Sequence, residues 1–211
     1  MSVVGFLMLL ALPNQFTWGS VFTTLDAPLG VNGTVAFVID GNNIVGSYTR
    51  SNNINLGFLF NGTTYTTLDA PLGVNGTFAN GISGNNIVGY YYESDFTTRG
   101  FLYNGTTYTT LDAPPVVGGV RGMWALGIDE NNIVGFHGTI DGRSRGFLFN
   151  GTTYTTLDAP LGVNGTYAWG ISGNNIVGYY LDSNFRNHGF LYDGTTYTTL
   201  DAPLGVNGTF A

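Results

Sequence analysis

Residues 62–77 read GTTYTTLDAPLGVNGT, and the same sixteen letters return at 151–166 and 194–209. A catalytic site is normally a single place, so repetition on this scale points to architecture first. Working outward, Leu-Asp-Ala-Pro begins at Leu25, Leu68, Leu111, Leu157 and Leu200, in steps of 43, 43, 46 and 43 residues. Asn-Asn-Ile-Val-Gly begins at Asn42, Asn85, Asn131 and Asn174, and Gly-Phe-Leu begins at Gly57, Gly100, Gly146 and Gly189. A fixed period of this length is the mark of a repeat architecture. The three extra residues of the third step fall around 115–121, between motifs, as a loop insertion should.

Each unit reads as four strands. In the second, 77–82 is apolar and small, and Ser83-Gly84-Asn85 is a turn. A strand rich in Ile, Val and Tyr covers 86–93, followed by a polar loop over 94–98. A short aromatic strand at 100–103 leads through Asn104-Gly105 to a last strand at 107–112, closed by Ala113-Pro114. Asn-Gly between alternating hydrophobic runs predicts a type I′ hairpin, with positive φ at both central residues. Thr, Tyr and Leu in the last strand suit a pleated surface, and proline cannot continue a ladder. No segment has helical periodicity.

Four antiparallel strands in about 43 residues match a β-propeller blade. The Ala-x-Gly-Ile strand (Ala79 to Ile82, Ala168 to Ile171) is read as innermost, because small residues fit near a crowded axis. The Thr-rich strand is then outermost. This reading gives blades at about 34–69, 77–112, 122–158 and 166–201, with partial strands at 21–26 and 209–211. The two partial strands would contribute to a fifth blade, with 3–10 as the one available middle strand. An open β-solenoid, or a piece of a longer array, is the alternative. Residues 1–20 carry an apolar run sized for a signal-peptide core but lack a basic flank, so a signal remnant and an extra strand both stand.

Composition narrows the function classes. The 211 residues carry a net charge of −7, with 9% charged residues, no lysine and no cysteine. Such a surface does not suit phosphate-backbone binding or attachment to anionic lipid, and no stretch is long enough to span a bilayer. Disulfides and thiolate metal sites are excluded. A chain free of Lys and Cys and rich in Thr, Asn and Gly suits an exported bacterial protein.

Ala168 to Ile171, Ile176-Val177-Gly178 and His188-Gly189-Phe190-Leu191-Tyr192 together resemble the bacterial extracellular HAF-repeat family, named for a His-Ala-Phe motif. The resemblance extends over nearly the whole chain from about residue 21. In the other units the His position holds Leu56, Arg99 and Arg145, and the Ala is Gly throughout. The resemblance implies an exported, propeller-like repeat protein and brings no catalytic residues with it.

A catalyst needs an asymmetric constellation, so candidate chemistry lies in what the repeats do not share. His137 and His188 are the two histidines, His137 in a second strand and His188 just before a third. They read as packing or surface residues rather than as a metal pair. The loop between second and third strands varies most, and five of the six arginines lie in or beside it. Varied loops on a rigid scaffold commonly carry specificity. Arg99, Asp141, Arg143, Arg145, Arg186 and His188 are therefore the candidate ligand-binding residues, suited to a carboxylate or a sugar.

Asp40-Gly41-Asn42 and Asp129-Glu130-Asn131 carry a faint calcium pattern and read better as turns. The recurrent Asp26, Asp69, Asp112, Asp158 and Asp201 are expected to accept backbone N–H bonds in the crossover between blades. Seven Asn-Gly-Thr sequons, including Asn32, Asn61 and Asn164, coincide with turns. The Thr-rich strands suggest an ice- or polymer-binding array only if they lie flat, and propeller strands do not. The sequence thus leads to a non-enzymatic, secreted or surface-exposed binding or scaffolding protein, without cofactor or metal, its partner a glycan or another surface protein. The rival is a glycan hydrolase or lyase on a five-bladed ring.

Overall fold

The computed structural model describes residues 23–113, 119–203, 205 and 208–211. Sixteen strands form four antiparallel meanders. Unit 1 holds β1 (Thr34–Asp40), β2 (Asn43–Thr49), β3 (Asn55–Phe60) and β4 (Tyr65–Leu68). Unit 2 holds β5 (Thr77–Ser83), β6 (Asn86–Tyr92), β7 (Thr98–Tyr103) and β8 (Tyr108–Leu111). Unit 3 holds β9 (Val120–Asp129), β10 (Asn132–Thr139), β11 (Ser144–Phe149) and β12 (Tyr154–Leu157). Unit 4 holds β13 (Gly165–Ser172), β14 (Asn175–Leu181), β15 (Asn187–Tyr192) and β16 (Tyr197–Leu200). One parallel bridge, Thr98 to Gly122, joins units 2 and 3. A second, Asn187 to Gly208, takes the same form at the end of unit 4.

The first strand of every unit carries a bulge: the register slips at Phe37, Asn80, Leu126 and Trp169. A bulge turns the local backbone inward, and the neighbouring strand must make room. The Gly of Ile-Val-Gly provides that room, since a Cβ on Gly89 would lie 1.9 Å from the Phe78 carbonyl oxygen. The same approach recurs at Gly46, Gly135 and Gly178. This is why the motif ends in glycine.

The first strands of successive units lie side by side, β1 by β5, β5 by β9 and β9 by β13. Their backbones come close: a Cβ on Gly81 would lie 2.9 Å from the Leu126 carbonyl oxygen. A Cβ on Gly127 would lie 2.8 Å from that of Trp169. Small residues in Ala-x-Gly-Ile are thus needed where first strands converge, as the inner-strand reading expects.

Units stack face to face, and the core lies in the seams. Val45, Leu68 and Ala70 of unit 1 pack on Ala79, Ile82, Ile87, Tyr91 and Phe101 of unit 2. Homologous sets fill the next two seams. Outer strands β4, β8, β12 and β16 are four residues long with exposed threonines. Brevity and the proline that follows the Asp-Ala of each repeat limit edge pairing.

Three local readings are corrected. Third strands start before the Gly-Phe-Leu glycine, so Arg99 and His188 lie inside β7 and β15 rather than before them. The Asn-Gly hairpins are not two-residue type I′ turns. Residues 61–64 form a four-residue loop in which only Gly62 has positive φ, +92°. The Asn61 N–H donates to the Thr64 carbonyl at 3.2 Å, and Asn61 Oδ1 accepts from the N–H groups of Thr63 and Thr64 at 3.0 and 2.9 Å, which closes the loop from the other side. Finally, 23–26 and 209–211 carry no strand among the described residues; Gly208 bridges Asn187 of β15 and the Thr209 N–H donates to the Asn187 carbonyl at 2.9 Å, with no ladder beyond them. The signal-or-strand reading of 1–20 and the middle strand at 3–10 lie outside the described residues.

Candidate functional site

The candidate site starts from one register position. Leu56, Arg99, Arg145 and His188 each precede the glycine of their third strand. That glycine pairs with the last leucine of the outer strand: Gly57 with Leu68, Gly100 with Leu111, Gly146 with Leu157 and Gly189 with Leu200. The residue just after the outer strand is the Leu-Asp-Ala-Pro aspartate. A cation before the glycine therefore meets a carboxylate after the leucine.

Three units use this pairing. In unit 2, Arg99 Nε donates to Glu93 Oε2 at 3.2 Å, and its Nη1 lies 4.0 Å from Asp112. In unit 3, Arg145 Nη1 donates to Asp158 Oδ2. In unit 4, His188 Nδ1 lies 2.9 Å from Asp201 Oδ2 and Nε2 lies 3.5 Å from Asp182 Oδ2. The Asp201 hydrogen bond raises the His188 pKa above the ordinary imidazole value, against partial desolvation, with Asp182 adding to the rise. Unit 1 has the apolar Leu56 at this position, buried with Tyr48 and Phe58.

The expected role of the Leu-Asp-Ala-Pro carboxylates is therefore corrected: Asp112, Asp158 and Asp201 face the third-strand cations. The crossover N–H is accepted by a threonine seven residues on, Ala70 N–H to Thr77 Oγ1 at 3.1 Å and Ala159 N–H to Thr166 Oγ1 at 3.0 Å. Thr77 and Thr166 are buried, which fixes the hydroxyl in place. The turn aspartates of the calcium-like stretches bind across units instead. Asp40 Oδ2 accepts from the Gly84 N–H at 2.7 Å and Asp129 Oδ2 from the Gly173 N–H at 2.6 Å.

The loops between second and third strands rise directly beside these pairs. Crossover asparagines brace them from below: Asn75 Nδ2 donates to the Glu93 carbonyl at 2.7 Å and Asn164 Nδ2 to the Asp182 carbonyl at 2.6 Å. At the loop tips Phe96 and Phe185 hold φ of +63° and +59° and are 70% and 71% exposed. A left-handed φ is costly for an aromatic residue, and here it turns the ring out to solvent.

A hollow of about 460 Å³ lies beside the unit 4 cluster, lined by Asp182, His188, Asp201, Thr199, Leu161 and Val163. A smaller one, about 140 Å³, lies beside Arg143, Arg145 and Asp158. Another of about 140 Å³ adjoins Arg99 and Asp112. A separate cleft of about 320 Å³ follows the seam between units 2 and 3 and is largely apolar, with Leu102, Ile128, Ile133 and Phe149 in its wall. It follows the packing between sheets and reaches Asp112 at one edge.

Of the residues singled out in sequence, Arg99, Arg145 and His188 share one structural position, and Arg143 lines the unit 3 hollow beside Arg145. Asp141 does not join them. Its carboxylate accepts from Thr139 Oγ1 and the Arg143 N–H, which folds the loop and holds the group below the ordinary carboxylate range. Arg186 is exposed and enters through its backbone N–H, 2.9 Å from Asp182 Oδ1. Sequence reasoning missed Asp112, Asp158, Asp182, Asp201 and Glu93. The signal was present as a constant 13-residue interval, from 99 to 112, 145 to 158 and 188 to 201. His137 and His188 sit on different strands of different units, His137 fully buried in β10. Among the described residues no group of three acidic or histidine side chains is disposed to hold a metal ion.

The architecture is all-β, built of four-stranded meanders like the blades of a β-propeller, and the described sheets do not close into a ring. The β-propeller domain of the Trilobed protease from Pyrococcus furiosus, which has an open velcro topology, superposes with a TM-score of 0.55 at 12% identity. The match covers 80% of this chain and 54% of that one. The six-bladed β-propeller lectin of Aleuria aurantia, described with a novel fucose recognition mode, gives 0.47 at 17% identity over 76% of this chain and 57% of that one. At these identities the likeness is one of fold alone. The chain spans a little over half the length of these structures. No family model and no curated protein matches the chain.

Proposed function

We propose that the protein is a secreted or surface-exposed propeller that binds neutral glycans, without catalysis, at the cation–carboxylate hollows of units 2, 3 and 4. The observation that carries this reading is the repetition of one charged pair, Arg99/Asp112, Arg145/Asp158 and His188/Asp201, at one register position beside three surface hollows. Repeated sites of moderate individual strength suit a repetitive ligand, because linked binding events raise avidity.

Charge arithmetic selects the ligand class. With imidazolium at His188, the unit 4 cluster sums two carboxylates and one cation to −1. Arg99 between Glu93 and Asp112 gives the same sum. The unit 3 hollow, with Arg143 and Arg145 against Asp158, sums to +1. The three hollows thus share no charge that an ionic ligand could match, and the net negative rim at units 2 and 4 disfavours an anion. A polyol suits all three: carboxylates accept from sugar hydroxyls, and Arg and His donate to hydroxyl oxygens. Leu161, Val163 and Pro160 line the unit 4 hollow as an apolar wall, together with Tyr180. Sugar C–H faces pack on such surfaces.

The enzymatic reading meets an obstacle in unit 4. Paired carboxylates in glycosidases need opposite environments, one raising the pKa of the acid. Asp182 is instead held below the ordinary range, chiefly by the Arg186 N–H. The export of the chain and its kinship to HAF repeats are part of the proposal, supported by composition and motif alone.

A neutral-glycan array tests the reading. Binding is expected from the purified chain, and it should fall in the double variant Arg143→Ala/Arg145→Ala and again when His188→Ala is added. Binding unchanged by all three substitutions removes these hollows as the site, and turnover of any bound glycan revives the hydrolase or lyase.

A further inference from the structure

We propose that the chain assembles head to tail, the open side of its unit 4 receiving the open side of unit 1 from a second copy. The occupant is identified by an interface that the molecule already builds three times. At each internal seam the rear side of one unit offers a valine, two leucines and an alanine: Val45, Leu59, Leu68 and Ala70, then Val88, Leu102, Leu111 and Ala113, then Val134, Leu148, Leu157 and Ala159. The front of the next unit answers with an alanine, two isoleucines and a phenylalanine: Ala79, Ile82, Ile87 and Phe101, and their counterparts in units 3 and 4.

Parts of the same two surfaces stand uncovered at the ends of the described array, although Ala27 already packs with Tyr48, Leu56 and Phe58 on the unit 1 side. The front of unit 1 exposes Ile39 by 64%, where its counterpart Ile82 is 6% exposed inside a seam. Val35, Phe37 and Val38 on the same strand are exposed as well. The rear of unit 4 exposes Leu200 by 39%, where Leu68 and Leu157 are each 1% exposed. The two ends are complementary to each other and not to themselves, so the contact is heterologous.

Residues 209–211 hold part of the rear seat. Ala202 N–H donates to Thr209 Oγ1 at 2.9 Å, repeating the crossover bond that Ala70 makes to Thr77. A Cβ on Gly189 would lie 3.0 Å from Ala211 Cβ, much as one on Gly57 would lie 3.3 Å from Ala79 Cβ. These residues supply the threonine and alanine of a first strand without its isoleucine. In the assembly the incoming copy's own Leu25–Ala27 link, whose Ala27 N–H donates to Thr34 Oγ1 at 3.0 Å, gives way to Leu200–Ala202, Thr34–Ala36 replace Thr209–Ala211, and Ile39 covers Leu200.

Sedimentation of the full 211-residue chain over a concentration series tests this. The expected result is a mass that rises above the monomer with concentration. Ile39→Asp and Leu200→Asp each give a monomer alone, because each blocks one end. Mixed in equal amounts they give a dimer and nothing larger, since one sound front meets one sound rear. Circular dichroism of each variant shows that the fold persists, as both side chains are solvent-exposed. A chain monomeric at every concentration, as closure by its own other end would produce, overturns the proposal. So does assembly that survives either substitution alone, which a front-to-front or rear-to-rear contact would allow.

Discussion

His137 stands directly across from Arg145 on the neighbouring strand, at the position where the other units place Tyr48, Tyr91 and Tyr180. Those tyrosines reach a threonine of the outer strand, with Oη to Oγ1 distances of 2.9, 3.1 and 3.1 Å to Thr67, Thr110 and Thr199. His137 is fully buried, and both its ring nitrogens lack a hydrogen-bond partner. Burial pushes its pKa below the ordinary imidazole value, and the Arg145 guanidinium adds to the shift.

His137→Tyr should therefore stabilise the protein. It removes two unpartnered buried nitrogens and brings a hydroxyl to Thr156, the counterpart of Thr110. The gain is about 1 kcal/mol, read as an upward shift of the urea midpoint at constant slope.

The two histidines give stability opposite pH dependences. For His137 the folded pKa lies below the unfolded value, so the unfolded state takes up protons first. Its contribution is complete above the unfolded pKa of ~6.5 and is lost as pH falls toward the folded value. For His188 the folded pKa is raised. Its contribution is complete below the unfolded pKa and disappears as pH rises through the folded one. Urea midpoints measured against pH should lose the acid-side fall in His137→Tyr. In His188→Gln they should lose the fall on the neutral-to-alkaline side.

Glu130 holds φ of +53° in the β9–β10 turn, where Gly41, Gly84 and Gly173 occupy the other three turns. Left-handed backbone costs a residue with a Cβ about 1 kcal/mol more than glycine. Glu130→Gly should raise stability by about that amount while keeping the bond from its N–H to Ser83 Oγ, at 3.0 Å. An unchanged melting temperature would show that the turn carries no strain.

Gly89→Ala should be severe. The new methyl would meet the Phe78 carbonyl of the paired strand at 1.9 Å and the seam-buried Phe101 ring at 2.9 Å. Overpacking against backbone costs about 3 kcal/mol or more, so the variant should unfold at a lower urea concentration or accumulate insoluble.

The repeat, the four-strand unit and the convergence of first strands were legible in sequence. Period, turn residues and the small residues of Ala-x-Gly-Ile each follow from local chemistry. The site was legible only in part. Arg99, Arg145 and His188 could be named from the variable segment, but not the aspartates that face them. Whether two side chains meet depends on strand register, and register across β7 and β8 is set by a four-residue loop that reads as a two-residue turn. The bulges at Phe37, Asn80, Leu126 and Trp169 were hidden for a similar reason, since one extra residue leaves no compositional mark. Thr77 displaced Asp69 as the crossover acceptor because it lies buried under the link.

Calorimetric titration of a glycan selected on the array, with the wild type and the triple variant Asp112→Asn/Asp158→Asn/Asp201→Asn, tests the central claim most directly. These substitutions keep size and remove the Leu-Asp-Ala-Pro carboxylate from each pair, leaving Glu93 beside Arg99 and Asp182 beside His188. The account predicts that affinity falls at least tenfold in the triple variant, with an unchanged far-ultraviolet spectrum. Equal affinity in the two proteins would contradict it and place any binding away from the cation–carboxylate hollows.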